Sequence, residues 1–260
     1  MGEKQNTPVS YTSYLQVDSL LELQTHLSQP VAHDELLFII IHQVYELWFK
    51  QILFELDAVV THLQASDFIK SIRRLERVNE IMRILTQQVD ILETMTPVEF
   101  NRFRAHLNPA SGFQSLQFRE LELLCGSDPK EYDRFKEISP EWAPKLAARL
   151  AKPNLRQTFF QTLAREGLAQ TDDLASEALR QIYLDTAPES VYRSLCEGLI
   201  RFDEMVALWR FRHVQMVERM IGMKPGTGGS LGVAYLKSTL RKRFFPELWE
   251  ARTEMGAGPV

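Results

Sequence analysis

One stretch of the chain, from about Asp34 to Leu63, is apolar on almost every side of the helix that its periodicity predicts. Between Leu36 and Phe49 hardly any polar face remains, so we expect other elements to cover this helix all round. Apolar residues recur three or four positions apart elsewhere, and no segment shows the two-residue alternation of a strand. The sequence therefore predicts an all-α protein, a helical bundle with a covered central helix.

Further helices follow from the same periodicity. A helix from about Asp67 to Thr94 has one narrow apolar stripe, typical of an outer or paired helix in a bundle. Shorter helices are predicted at about Ser19–Ser28, Leu155–Arg165 and, after the capping box that begins at Thr96, around Phe100. A second capping box, which begins at Thr186, predicts the start of a long helix that ends at Gly222 and carries His213 on its apolar stripe.

The bulk composition limits the class of protein. A chain of 260 residues with 45% hydrophobic content can bury a large core, so we expect a single domain over 1–260, with a less regular helical subdomain at about 126–185. A net charge of -4 gives no general attraction to nucleic acid or to anionic membranes.

The expected location is the cytoplasm. The N-terminus has no apolar signal region, and the longest apolar run, Leu36 to Ile41, is too short to span a bilayer. The two cysteines, Cys125 and Cys196, suit a reduced compartment. We therefore expect a cytoplasmic protein with no nucleic-acid or membrane partner.

Two histidines lie on apolar stripes, His42 and His213. Each is either a satisfied core histidine or a functional group. His213 is a candidate axial ligand of haem iron, because the chain lacks Glu-x-x-His, His-x-His and Cys-x-x-Cys motifs that would complete a side-chain metal site. His42, one turn after Phe38, is either core or a residue that hydrogen-bonds a ligand.

Arg104 shares a helix face with Phe100, Phe103 and Leu107. Three interpretations remain open: an internal salt bridge, an aliphatic stem that carries its charge to solvent, or a bidentate clamp on a substrate carboxylate. The loop Gly226–Ser230 follows a helix and lacks both phosphate-loop patterns. It is either a plain turn or an active-site loop that offers Thr227.

Several longer stretches of the sequence, taken together, resemble the tryptophan 2,3-dioxygenase family, and they occur in the order found in that family, from Tyr11 to about Arg252. The matching strings are His33–Gln43, Ser111–Arg119, Leu208–His213 and Gly226–Ser230, with Tyr11–Leu15 similar to the N-terminal segment of the family.

The resemblance implies an all-α homotetramer with one haem b per subunit and O2 as co-substrate. It implies that His213 is the axial iron ligand and that Ser111 and Gly112 shape the pocket near the bound oxygen. Tyr11 and Tyr14 would reach into the site of a neighbouring subunit.

The resemblance also implies how L-tryptophan is bound. Phe38 would pack on the indole, and His42, as the catalytic histidine, would accept a hydrogen bond from the indole N–H. Arg104 would clamp the carboxylate, with Phe100 beside it where some members carry tyrosine, and Thr227 would bind the ammonium group. The product would be N-formylkynurenine, the first step of tryptophan catabolism through kynurenine.

An alternative stays open at the level of sequence. Ile41, before His42, and Phe100, without a tyrosine hydroxyl, depart from the pattern of the family near the pocket. A related haem monooxygenase that acts on a modified tryptophan, for example a methylated one, to give an oxindole would fit the same strings.

Overall fold

The computed structural model of the chain describes residues 8–168, 175–185, 187, 190–227 and 232–255. Within these residues all regular structure is helical, in thirteen α-helices and three short 3-10 helices. The predicted all-α class is therefore confirmed.

The first six α-helices are α1 (Tyr11–Leu15), α2 (Val17–Leu21), α3 (Glu35–Gln64), α4 (Phe68–Leu92), α5 (Pro97–Phe103) and α6 (Leu116–Leu124). The remainder are α7 (Lys130–Ile138), α8 (Ala143–Leu150), α9 (Leu155–Arg165), α10 (Ala175–Asp185), α11 (Val191–Ile221), α12 (Val233–Ser238) and α13 (Pro246–Glu254). The 3-10 helices are Arg104–Leu107, Gly112–Gln114 and Pro140–Trp142.

Helix α4 packs along both of the two longest helices, α3 and α11. Its apolar stripe is buried as predicted, for example at Leu75, Met82 and Leu85. The Asp67 side chain caps the first turn of α4 by accepting a hydrogen bond from the backbone N–H of Lys70 at 3.1 Å. His42 on α3 and His213 on α11 project from this three-helix layer.

Helix α3 is not covered on every side, so that prediction was wrong for the single chain. Helices α4, α6 and α9 pack against it, but Leu36, Ile40, Leu47 and Phe54 remain exposed, Phe54 with 69% of its surface. These four residues lie at helical spacing and form one uncovered apolar stripe. Periodicity predicted that this side would be buried but gave no partner for it.

By length and composition alone, α3 is the one described helix that could cross a membrane. The core helix of a globular protein passes the same test. Here Ile52, Leu56 and Leu63 of α3 are completely enclosed by the protein, and Glu55 on the same helix forms an ion pair with Arg77 of α4. Burial inside the protein therefore explains part of the apolar surface of α3.

The segment before α3 differs from prediction. A helix was expected at about Ser19–Ser28, but α2 ends at Leu21. Leu27 and Ser28 donate their backbone N–H groups to the buried carboxylate of Glu35, at 2.7 and 3.1 Å, and the Ser28 hydroxyl donates to it as well. The Glu35 carboxylate thus accepts backbone N–H groups that a continued helix would use, which favours a loop here.

Helix α11 begins later than predicted. It starts at Val191, and the Ser190 side chain accepts a hydrogen bond from the backbone N–H of Tyr192 at 3.3 Å. Thr186, with most of the predicted capping box, lies outside the described residues. The capping box at Thr96 is confirmed in full, with both reciprocal hydrogen bonds present.

The polar middle of the chain contributes to the main core. Phe159 and Leu163 of α9 and Leu179 and Ile182 of α10 are buried in the same cluster as α3 and α4. The division of about 126–185 into a subdomain stays a prediction. A second cluster joins α4, α5 and the end of α11 around Phe100, and it forms one wall of the site described next.

Candidate active site

His42 on α3 and His213 on α11 lie close enough for the His42 ring to influence the pKa of His213. Burial, together with a smaller effect of the nearby His42 ring, lowers the pKa of His213 to about 4. Both residues nevertheless retain accessible surface, so neither is enclosed in the packed core. At neutral pH both imidazoles are uncharged, the state in which a ring nitrogen can bind a metal or accept a hydrogen bond.

The His213 ring is oriented by aromatic neighbours. Trp209, one turn earlier, stacks on it with ring centroids 5.7 Å apart and an interplanar angle of 15°. Phe49 and Phe118 in turn hold the Trp209 indole, at 5.9 and 5.0 Å. Among the described residues, His213 has no hydrogen-bond partner. Its ring is therefore fixed by stacking while its nitrogens remain available.

The chemistry of the donors suits a metal that brings most of its own ligands. Among the described residues, no group of three or more His, Cys, Asp or Glu side chains could hold a metal ion. Cys125 and Cys196 are buried thiols, and burial raises the pKa of Cys196 to about 12, which disfavours a thiolate ligand. A single neutral imidazole in an apolar, aromatic wall fits haem.

The hydrogen bond of His42 fixes its tautomer. Nδ1 lies 2.7 Å from the backbone carbonyl oxygen of Phe38. Because a carbonyl oxygen only accepts, Nδ1 carries the proton and Nε2 of the neutral ring is left as an acceptor. Burial lowers the pKa of His42 and outweighs the Phe38 carbonyl and the Glu46 charge, which raise it. His42 thus presents an acceptor nitrogen.

Three phenylalanines form an apolar wall beside His42. Phe38 lies 4.1 Å from the His42 ring, 5.7 Å from Phe100 and 5.5 Å from Phe103, between ring centroids. Phe100 and Phe103 meet edge to face at 5.3 Å. Phe103 is fully buried, whereas Phe38 keeps part of its face accessible. The wall can therefore receive a flat aromatic group.

Arg104 lies at the end of α5, where the chain turns into a 3-10 helix. Its Nη2 donates to the carbonyl oxygen of Pro225 at 2.6 Å. In the part of the chain that the structure describes, no carboxylate pairs with this half-buried guanidinium, so the internal salt bridge is not found there. Most of its five donors remain free to bind an anion.

The loop after α11 meets the loop after α5. Thr227 Oγ1 donates to the carbonyl oxygen of Ala110 at 2.6 Å. Next to Ala110, Ser111 caps a 3-10 helix, and a Cβ added to Gly112 would have no neighbour within 4 Å. The predicted residues Arg104, Thr227, Ser111 and Gly112 are therefore brought together. Gly228, Gly229 and Ser230 lie outside the described residues.

Tyr11 and Tyr14 are not brought to this site within the single chain. They lie on α1, which buries none of its residues, and they are 77% and 76% exposed.

Two other residues lie near the site. Trp209, which periodicity places on the same apolar stripe as His213, supports the His213 ring. Sequence reasoning missed Glu46, which lies one turn after His42 and binds the segment that follows Gly112. The four-residue spacing from His42 was the available signal for Glu46.

Comparison with known proteins agrees with this geometry. The sequence profile of tryptophan 2,3-dioxygenase matches residues 2–178 and 155–255. The tryptophan 2,3-dioxygenase of Nocardioides sp. is 49% identical over 258 residues, which cover 97% of each chain. The chain belongs to the tryptophan 2,3-dioxygenase family.

Other members of the family support the assignment. The tryptophan 2,3-dioxygenase of Herpetosiphon aurantiacus is 46% identical over 95% of this chain and 98% of its own. That of Xanthomonas campestris is 40% identical over 95% of this chain and 88% of its own. The tryptophan 2,3-dioxygenase family consists of haem-dependent oxidoreductases that use O2, and the chain is an enzyme of that family.

Proposed function

We propose that the protein inserts both atoms of O2 across the C2–C3 bond of the indole of L-tryptophan and releases N-formylkynurenine. One molecule of each reactant gives one molecule of product, so no external reductant is consumed. The observation that carries the proposal is the free acceptor nitrogen of His42 near the uncharged His213 ring. Family membership supports the choice of substrate.

His213 is the residue proposed to hold haem b through its iron. The stacked Trp209 ring fixes the direction of the imidazole, and burial keeps it uncharged, which favours iron binding over protonation. When bound, haem supplies the iron at which O2 binds and is activated. The protein supplies the orientation of the substrate and the dry surroundings.

His42 and Phe38 orient the indole in this proposal. His42 Nε2 accepts the indole N–H, and the accessible face of Phe38 packs on the ring. His42 needs only to position the indole, because an indole N–H is too weak an acid to be deprotonated by a neutral imidazole. Phe100 closes the wall behind Phe38.

Arg104 and Thr227 bind the two charged groups of the amino acid. The free guanidinium donors of Arg104 suit the carboxylate. The Thr227 hydroxyl donates its hydrogen to the carbonyl oxygen of Ala110, so its oxygen can only accept a further hydrogen bond. An ammonium group only donates, and it therefore suits this oxygen. Ser111 and Gly112 line the space for O2, where the missing Cβ of Gly112 leaves room.

The active form is proposed to be a homotetramer in which Tyr11 and Tyr14 of one subunit complete the site of the next. The exposed faces of α1 and of the α3 stripe (Leu36, Ile40, Leu47, Phe54) are the apolar surfaces that neighbours would cover. As for other soluble enzymes of catabolism, the cytoplasm is the proposed location.

The experiment is a product mass measurement. The haem-loaded, reduced protein is given L-tryptophan and isotopically labelled O2. A product that has gained two labelled oxygen atoms is expected. A gain of one atom would indicate a monooxygenase instead, and N-methylated or ring-methylated tryptophans tested in parallel would show whether a modified substrate is preferred. Haem binding without any turnover would refute both enzyme activities.

A further inference from the structure

Glu46 joins helix α3 to the segment that follows Gly112. Ser115 Oγ donates to Oε1 of Glu46 at 2.6 Å, and Gln117 Nε2 donates to Oε2 at 2.8 Å. Gln117 Nε2 also donates to the backbone carbonyl oxygen of Glu46 at 2.7 Å. A carboxylate that accepts from two side chains about 70 positions away is a specific cross-link, with each oxygen satisfied by one partner.

The partner segment is the wall of the proposed oxygen pocket. The backbone N–H of Ser115 donates to the Gly112 carbonyl at 3.2 Å, and that of Gln114 donates to the Ser111 carbonyl at 2.9 Å. The Ser115 side chain also accepts from the backbone N–H of Phe118 at 3.3 Å, so Ser115 both ends the 3-10 turn and begins α6. A shift of Ser115 would therefore shift Ser111 and Gly112.

This wall is held at two ends. Thr227 holds Ala110 at one end, and Glu46 holds Ser115 at the other. Elsewhere, α6 meets α3 through apolar packing such as the Phe49–Phe118 ring contact at 5.5 Å and through Arg149 of α8, which donates to Asp57 of α3 and to Glu120 of α6. These contacts hold α6 on α3 without Glu46, but they lie beyond Ser115, so the segment from Ser111 to Ser115 loses its own anchor when Glu46 is removed.

We propose that Glu46 is a positioning residue for the reaction, which holds the segment from Ser111 to Ser115 at a fixed distance from His42. The two residues share a helix, with His42 one turn before Glu46, so one rigid element sets both the indole acceptor and the wall opposite. This inference rests on the proposed function. Reaction rates respond strongly to such placement, since a displacement of about 1 Å can cost on the order of 100-fold.

The test uses the haem-loaded full-length protein with Glu46→Ala, Ser115→Ala and the double variant. We expect kcat/KM for L-tryptophan to fall about 10- to 100-fold in Glu46→Ala, with an unchanged Soret band. The double variant should lose no more than the larger single variant, because both remove the same tie. Amide hydrogen exchange at Gln114 and Ser115 should become faster in Glu46→Ala.

The matched control is Glu166→Ala. Glu166 also accepts from two hydroxyls, Ser66 at 2.6 Å and Tyr192 at 3.3 Å, and it lies outside the site. We expect it to leave kcat/KM within about twofold of the unsubstituted protein, as for a residue with no role in the pocket. Glu46→Gln keeps an acceptor for Ser115 and should restore part of the activity.

Several results would overturn the inference. These are a kcat/KM unchanged in Glu46→Ala, additive losses in the double variant, unchanged exchange at residues 114 and 115, or equal losses in Glu46→Ala and Glu166→Ala. If the unsubstituted protein does not turn over tryptophan, the proposed function fails, and the exchange measurement still decides whether Glu46 anchors the wall.

Discussion

The hydroxyl of Thr227 donates a hydrogen bond to the carbonyl oxygen of Ala110 at 2.6 Å, and this contact joins two loops that are more than 100 positions apart. Arg104 reinforces the junction through the carbonyl of Pro225. Arg104 and Thr227, the residues proposed to bind the carboxylate and the ammonium group of the substrate, are thus both held where the loop after α5 meets the loop after α11.

Gly232 closes the loop that carries Thr227. Its φ is +58°, and an added Cβ would lie 2.7 Å from the carbonyl oxygen of Lys224. Gly232→Ala should therefore displace the loop and raise KM for tryptophan roughly tenfold, from the 1–3 kcal/mol typical of such strain. Gly167→Ala is the control, because it has φ +76° but no neighbour within 4 Å. An unaltered KM in Gly232→Ala would show that the loop does not shape the site.

Arg104→Ala should weaken tryptophan binding. Loss of one partner of a buried charge pair costs roughly 2–5 kcal/mol, which corresponds to at least about a 30-fold rise in KM. Substrate titrations monitored through the Soret band would measure the dissociation constant directly. The exposed Arg102, two positions earlier in α5, supplies the control variant, Arg102→Ala. Similar affinities in the two variants would contradict the carboxylate clamp.

His213→Ala should abolish tight haem binding, because no other described side chains form a metal-binding group around this position. The measurement is the Soret absorbance after haem reconstitution and gel filtration. His42→Ala should retain haem while it loses turnover, since His42 is assigned to the indole. A full Soret band in His213→Ala would refute the axial role of His213.

Protonation of Glu35 should lower the free energy of unfolding at acidic pH. Burial alone would raise its pKa, but the hydrogen bonds from Ser28 and from the backbone of Leu27 lower it below its ordinary value of 4.5. Because the pKa of Glu35 is lower in the folded protein than in the unfolded chain, the ionised carboxylate stabilises the fold at pH values above the pKa of the unfolded chain. This contribution is lost as the pH falls through the pKa of the folded protein.

Urea unfolding of the protein and of Glu35→Gln would measure this contribution. The difference in the free energy of unfolding should be largest near neutral pH and shrink between about pH 5 and pH 3. Glu22→Gln, at an exposed position in the same segment, serves as the control. A difference that stays constant with pH would indicate that the Glu35 carboxylate is not the titrating group.

Mixed oligomers would test the role of Tyr11 and Tyr14. A Tyr11→Ala/Tyr14→Ala variant and His213→Ala should each be inactive alone. Co-expressed, they should recover part of the activity, because a subunit with an intact haem site can receive tyrosines from a His213→Ala neighbour. No recovery in isolated mixed tetramers would place the tyrosines outside the shared site.

The sequence predicts those parts of the fold that local rules control. The capping box at Thr96 has the predicted bonds, and α9 has the predicted bounds, Leu155–Arg165. Contacts between distant segments escape such rules. Periodicity does not predict the hydrogen bond from Ser115 to Glu46. It also does not predict that the backbone N–H of Leu27 donates to Glu35 from a loop.

The same limit applies to the exposed stripe of α3. A helix face that a neighbouring subunit covers has the composition of a face that the chain covers itself. Periodicity therefore predicted burial at Phe54, and only the three-dimensional arrangement shows that this chain leaves it open. The family strings, by contrast, contain Ser111 and Thr227, whereas Arg104 was found from the helix face that it shares with Phe100, Phe103 and Leu107.

The 30-residue helix α3 fixes the spacing of three residues of the proposed pocket. Phe38, His42 and Glu46 follow at four-residue intervals, roughly 6 Å apart along the axis. One residue inserted between them would rotate everything beyond it by about 100° and turn it away from the pocket. Redesign for a larger aromatic ring must therefore change the two loops that carry Ser111 and Thr227, which can alter length without disturbing that spacing.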